Sequence, residues 1–287
     1  MHISGTTTLL GLIGTPVAHS KSPAMYNHCF AKFGLDWAYL AFDIPLEKTG
    51  EAVQAIRTLH MRGANVTMPC KNAVIPYMDK LTPAAQAIQA VNTIVNENGV
   101  LVGHNTDGCG YTQNLRRNGV EVAGKRIVLL GGGGAASAIA IQAALEGAAE
   151  IAVFNRRDEF WSRIDQGLQA IAKAAPGCAI SLHDLDDKQE LKAAIDDCHI
   201  LSNATRVGME PNTEQSLITD LDWLRSDLVV TDVVYAPPHT KLLRDAQSAG
   251  CKTCDGLGML LCQGAEAFRL YSGLEMPVEE IRALLYA

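Results

Sequence analysis

Three stretches of the 287-residue chain set polar side chains beside glycine or proline in otherwise apolar surroundings: GTPVAHSKSP (14–23), GANVTMPCK (63–71) and AVNTIVNENGVLVGHNTDG (90–108). Such placement leads to the expectation of side chains aimed from strand ends at a cleft. Ser20 and Ser22 flank a helix start, where bare N–H groups and hydroxyls suit a carboxylate. A helix N-cap accounts equally well for Ser22. Lys71 follows Pro69, which is expected to open a helix and stand the ammonium at the cleft mouth; a solvated surface lysine is the plain alternative. Asp107 either faces the cleft or caps the next helix.

A second constellation points to a nucleotide. In GGGGAASA the spacing Gly131, Gly133, Ala136 fits GxGxxG/A, between an apolar run (127–130) and an alanine-rich helical run. Glycines there let backbone N–H groups approach a pyrophosphate at a helix N-terminus. The next apolar run (150–154) ends in Asn155, Arg156, Arg157 and Asp158. A terminal acidic residue ordinarily holds the ribose hydroxyls, but that position is Asn155, and Asp158 comes three residues later. Arg156 and Arg157 could stack on adenine or grip a phosphate. Asp158 could bind ribose, cap the following helix, or do both.

These residues need elements to hold them. The first hundred residues alternate strand and helix patterns: a strand over 9–14, a helix over 23–34 with Ser22 as N-cap, a strand over 38–44, a helical stretch over 47–63, a strand over 64–68, and two strands around an Asn98-Gly99 turn. A helix over 108–119 leads to a βαβ unit, a helix over 158–175, and apolar runs near 199–204 and 228–235. A last helical run begins near 260, where the chain is expected to return to the first domain. The reading is α/β with two domains. Residues 1–108, completed by 257–287, form a mixed-sheet substrate domain, and 109–256 form a Rossmann-type doubly wound domain.

Composition narrows the function classes. With 48% hydrophobic and 19% charged residues and a net charge of -7, the chain lacks the clustered basic surface that nucleic acid requires. No run approaches a membrane span, and the N-terminus has no basic leader, so a cytoplasmic protein with a small-molecule substrate is expected. Of the eight cysteines only Cys251 and Cys254 form a CxxC, without a second ligand pair, so no metal is expected.

Taken together, GTPVAHSKSP, NVTMPCK, AVNT, GHNTDG, GGGGAASA, NRRD, NATRVGM, DVVYAPPHTKLL and GLGMLLCQGAE resemble, in order and over nearly the whole chain, the shikimate dehydrogenase family. The resemblance is closest to its NAD-using quinate/shikimate dehydrogenase branch. It implies reversible hydride transfer between a ring carbinol of shikimate or quinate and NAD or NADP, in a cleft between the two domains. Ser20, Ser22 and Tyr235 would hold the substrate carboxylate, and Thr67, Asn92, Asp107 and Gln263 the ring hydroxyls. Lys71 and Asp107 would exchange the proton. A free lysine, with a pKa of about 10.4, is protonated at neutral pH, and a neighbouring carboxylate keeps it so, which assigns the step to the pair. Gly131, Gly132, Gly133, Gly134, Ala135, Asn155, Arg156, Arg157, Asp158, Arg206, Val233 and Gly256 would line the cofactor.

Departures are GGGGAA for the commoner GAGGAA, Cys70 in place of a bulkier residue, and NRRD where NADP-type members read NRT or NRS. Threonine at 67 is a position of Ser/Thr variation that could tilt shikimate against quinate. NRRD leads to the expectation that both cofactors are admitted, with NAD at least competitive. Alternatives are a cyclitol-acid or aminoshikimate dehydrogenase, and a catalytically silent dinucleotide-sensing protein. If the chain self-associates, a homodimer is expected.

Overall fold

The computed structural model describes residues 3–286. The chain divides into two compact units, Met1–Thr106 with Gln263–Ala287, and Asp107–Cys262. In the first unit the elements run β1 (Thr8–Gly14), α1 (Ser22–Lys32), β2 (Trp37–Asp43), α2 (Thr49–Thr58), β3 (Gly63–Val66), β4 (Lys80–Leu81), α3 (Pro83–Ile88), β5 (Thr93–Glu97) and β6 (Val100–His104). Their sheet has the order β2-β1-β3-β5-β6-β4, parallel on one side and antiparallel across β3, β5 and β6. Asn98 and Gly99 both take positive φ, 54° and 97°, as a tight hairpin between twisted strands requires. One face of the sheet packs Ile13, Val53, Ile56, Val66, Val74 and Ile94. Elsewhere in the unit the rings of Tyr26, Tyr39 and Phe268 stack, with Tyr271 edge-on to Tyr26.

The second unit runs α4 (Asp107–Arg117), β7 (Arg126–Leu130), α5 (Gly134–Leu145), β8 (Glu150–Asn155), α6 (Trp161–Ala174), β9 (Ala179–Asp184), α7 (Lys188–Asp197), β10 (Ile200–Asn203), β11 (Val229–Asp232), α8 (Lys241–Ser248) and β12 (Lys252–Cys254). All its strands are parallel in the order β12-β11-β10-β7-β8-β9, the doubly wound arrangement that changes direction between β7 and β10. Helix α9 (Gly256–Ser272) begins in this unit and carries the chain back to the first, where α10 (Val278–Tyr286) ends it.

Several local expectations change. Ser22 is not an N-cap: it is the first residue of α1, the cap position is Lys21 with no side-chain cap, and Ser22 N–H donates to Ser20 Oγ at 3.2 Å in the turn that enters the helix. The helical stretch expected over 47–63 is a short 3-10 turn followed by α2, which ends at Thr58; His60 then takes a φ of 50°. Pro69 opens consecutive turns closed by a 3-10 helix at Ile75–Tyr77, so Lys71 lies on a turn. Asp158 is not the helix cap; α6 starts at Trp161, and Asp158 Oδ1 accepts from Phe160 N at 3.0 Å in a local turn. Cys251 and Cys254 are free and buried, and among the described residues no cluster of three or more His, Cys, Asp and Glu could hold a metal. No helix among them is long and apolar enough to cross a membrane.

Candidate active site

Strand pairing gathers the first set of polar residues at one sheet edge. Parallel β1 and β3 end at Gly14 and Val66, and Thr93 at the start of β5 lies opposite both Asn65 and His104. Ser20 and Ser22 follow β1, Thr67 and Lys71 follow β3, Asn92 precedes β5, and Thr106 follows β6, so all leave from that edge. Ser20 spends an oxygen lone pair on Ser22 N and keeps its proton to give. Among the described residues the hydroxyls of Ser22 and Thr67 make no hydrogen bond. Both serines are half-buried, and the positive end of α1 adds to their fitness for an anion.

Asn92 is 3% exposed and tightly oriented. Its carbonyl accepts from Thr106 N at 2.8 Å and from the Thr93 hydroxyl at 3.0 Å, while its Nδ2 donates to Thr106 Oγ1 at 3.0 Å. Asn65 Nδ2 donates to Thr93 Oγ1 at 3.1 Å and is itself set by the Tyr39 hydroxyl at 2.8 Å. The Thr106 hydroxyl donates to Gln263 Oε1 at 3.4 Å, so one threonine orients both Asn92 and Gln263. Asn65, Thr93 and Thr106 are positioning residues that motif reading passed over, although all three stand in the quoted stretches.

Half-buried Lys71 is held through its backbone: Val91 N donates to its carbonyl at 2.8 Å, beside Asn92. The preceding side chain, Cys70, is fully buried and accepts from the Thr49 hydroxyl at 3.3 Å. Cys70 anchors the turn inward. Gln263 completes the set in this unit, whereas Asp107, at the start of α4, and Tyr235, 47% exposed after β11, belong to the second.

The glycine loop lies where β7 leaves the second sheet. Gly131 has a φ of +101°, and a Cβ there would stand 2.6 Å from Thr205 Cγ2, on the segment leaving the adjacent strand β10. Only glycine satisfies both demands. Gly132 N donates to Asn155 Oδ1 at 3.1 Å, which ties the loop to the end of β8. A Cβ on Gly133 or Gly134 would meet nothing within 4 Å, and α5 starts there without a side-chain cap. Open space over bare N–H groups at a helix start fits a dinucleotide pyrophosphate. Ala135 lies in the first turn of α5, while Arg206 is exposed and Val233 half-buried on the segments leaving β10 and β11. At Gly256 a Cβ would lie 2.5 Å from Val234 O, so that glycine permits close backbone approach.

Asp232, at the end of β11, is 3% exposed and accepts from Asn203 Nδ2 at 3.0 Å, Val234 N at 2.9 Å and the Thr240 hydroxyl at 2.7 Å. Asn203 Oδ1 in turn accepts from Thr205 N at 3.1 Å and its hydroxyl at 2.7 Å. The network thus fixes the segments leaving β10 and β11. Burial outweighs these donors and pushes the carboxyl up to about 6, from 3.8. A carboxyl raised on folding binds its proton more tightly in the folded chain, so the stability it contributes in acid is lost as pH rises from about 4 to 6. Asp232→Asn, which does not titrate, should therefore gain on the wild type by roughly 3 kcal/mol over that interval. Urea unfolding across pH measures it; a difference independent of pH refutes it.

Residues 12–94 match the shikimate dehydrogenase substrate binding domain, and residues 256–286 the shikimate 5′-dehydrogenase C-terminal domain. The chain is 46% identical over 284 residues to the shikimate dehydrogenase (NADP(+)) of Listeria monocytogenes serotype 4b, a match covering 99% of this chain and 97% of that one. The chain belongs to the shikimate dehydrogenase family. The crystal structure of the Listeria monocytogenes shikimate 5-dehydrogenase in complex with shikimate and NAD superposes with a TM-score of 0.96, at 46% identity, over 100% of this chain and 99% of that one. Within the wider fold, quinate dehydrogenase from Corynebacterium glutamicum, in complex with NAD, matches with a TM-score of 0.85 at 31% identity, over 96% of this chain and 98% of that one. The two-domain α/β architecture is thus that of NAD(P)-binding shikimate dehydrogenases.

Proposed function

We propose that this shikimate dehydrogenase family member catalyses reversible hydride transfer between shikimate and a nicotinamide dinucleotide, giving 3-dehydroshikimate, with quinate as a second substrate. The observation that carries this reading is the 0.96 TM-score to the Listeria monocytogenes enzyme holding shikimate and NAD. A nicotinamide held by the second unit supplies the hydride acceptor. Ser20 and Ser22 bind the carboxylate, helped by Tyr235, and Thr67, Asn92, Asp107 and Gln263 orient the ring hydroxyls. Lys71 and Asp107 together take the O–H proton as the carbinol C–H bond breaks, and return it in the reverse direction. The backbone of Gly131–Ala135 cradles the pyrophosphate; Asn155, Arg156, Arg157 and Asp158 receive the adenosine end, and Arg206, Val233 and Gly256 complete the lining. The protein acts in the cytoplasm, and a homodimer is the assembly to test first. Initial rates with shikimate and quinate, each with NAD and NADP, test the activity; no turnover in any of the four combinations overturns it.

NAD is proposed to be at least competitive with NADP, because Asp158 stands at the adenosine end of β8. Asp158→Ala should shift the kcat/KM ratio towards NADP by roughly fivefold or more. An unchanged ratio would leave Asp158 only the turn it forms with Phe160 N.

A further inference from the structure

The two arginines after β8 are not equivalent. Arg157 Nε donates to Asp184 Oδ2 at 3.0 Å, and its guanidinium carbon lies 4.6 Å from the centre of the Trp161 ring. Arg156 is exposed and, among the described residues, has no ion-pair partner. Asp184 ends β9 directly opposite Asn155 in the strand register, so its carboxylate stands beside the end of β8 that is proposed to receive the adenosine ribose. Its other oxygen accepts from Asp186 N at 3.0 Å, which fixes the side chain.

We propose that Asp184, acting through Arg157, is a positioning residue that sets the preference between a free ribose 2′-hydroxyl and a ribose 2′-phosphate; this rests on the dinucleotide reading above. A guanidinium grips phosphate by presenting two parallel N–H groups of its fork. Arg157 has its Nε committed to a carboxylate and one face to an indole, so a phosphate meets only its remaining Nη edge, held beside that carboxylate. The carboxylate itself repels the added phosphate charge. Arg156 remains available, which explains how the site still admits a phosphorylated ribose. Arg157 is 69% exposed, so water screens the pair and the effect is moderate rather than absolute.

Equilibrium dissociation constants for NAD and NADP, measured by calorimetry on the full chain, test this without recourse to turnover. Asp184→Asn keeps the oxygen that accepts from Asp186 N and replaces the charged oxygen facing Arg157 by an amide NH2, which cannot accept from its Nε. It should tighten NADP relative to NAD by about 3- to 10-fold, and that gain should vanish in an Arg157→Ala background. Matching thermal unfolding curves for wild type and Asp184→Asn confirm an intact fold. An unchanged NAD/NADP ratio in Asp184→Asn overturns the assignment, as does an equal shift when Arg157 is absent. If the wild type binds neither dinucleotide, the oxidoreductase reading falls, and with it the role of Asp184; binding of both with an unchanged ratio removes only the latter.

Discussion

Lys71→Ala should lower kcat by about 10²- to 10⁴-fold, the usual worth of a positioned acid–base group, while the dissociation constant for shikimate changes by less than about tenfold. The two effects separate because carboxylate binding is assigned to Ser20 and Ser22, whereas Lys71 acts on the proton that leaves as the alcohol is oxidised. The loss should not come from unfolding: Lys71 is held by its backbone carbonyl on Val91 N, which alanine retains, and Cys70 keeps the turn buried. Steady-state kinetics with shikimate titrations by calorimetry give both numbers. Turnover within a few-fold of wild type would remove Lys71 from the chemistry and leave it a surface cation.

Gly108→Ala should be the most damaging small substitution in the second unit. Gly108 lies in the first turn of α4, and a Cβ there would be 2.2 Å from Ala138 O and 2.6 Å from Gln142 Cβ on α5. Alanine favours a helix over glycine by about 1 kcal/mol. Collision with a backbone oxygen outweighs that gain, since α4 and α5 must separate and loosen the Thr112 Oγ1–Glu146 hydrogen bond of 2.9 Å that ties α4 to the end of α5. A net loss of about 2–4 kcal/mol is expected in urea unfolding. Gly167→Ala is the internal control: no atom lies within 4 Å of its Cβ in α6, so it should match or exceed wild-type stability. A Gly108→Ala protein as stable as the control would show that the two helices yield at no cost.

Gly108 marks where sequence reading stops. In GHNTDG the final glycine reads as punctuation before a helix, because its neighbour Ala138 is thirty residues away. The same holds for β9, whose residues are half-exposed along nearly its whole length at a sheet edge and carry no strong apolar run to announce a strand. Ser22 carries the hallmarks of an N-cap, yet the helix already begins there, one residue earlier than Pro23 implies, and the cap position falls to Lys21, which makes no side-chain cap.

By itself the sequence determined the α/β class, the strand–glycine–helix unit from Arg126 to Asn155, the hairpin at Asn98-Gly99 and the ordered motifs that resemble one family. Each is written within a few consecutive residues, as periodicity, turn chemistry or spacing. Only the tertiary structure decided which polar side chains orient which: Thr106 on Asn92, Asp232 between Asn203 and Thr240, and Asp184 on Arg157. Those partners sit on different strands or loops, up to 29 residues apart, and meet through register and crossover. Short-range propensity carries no information about either.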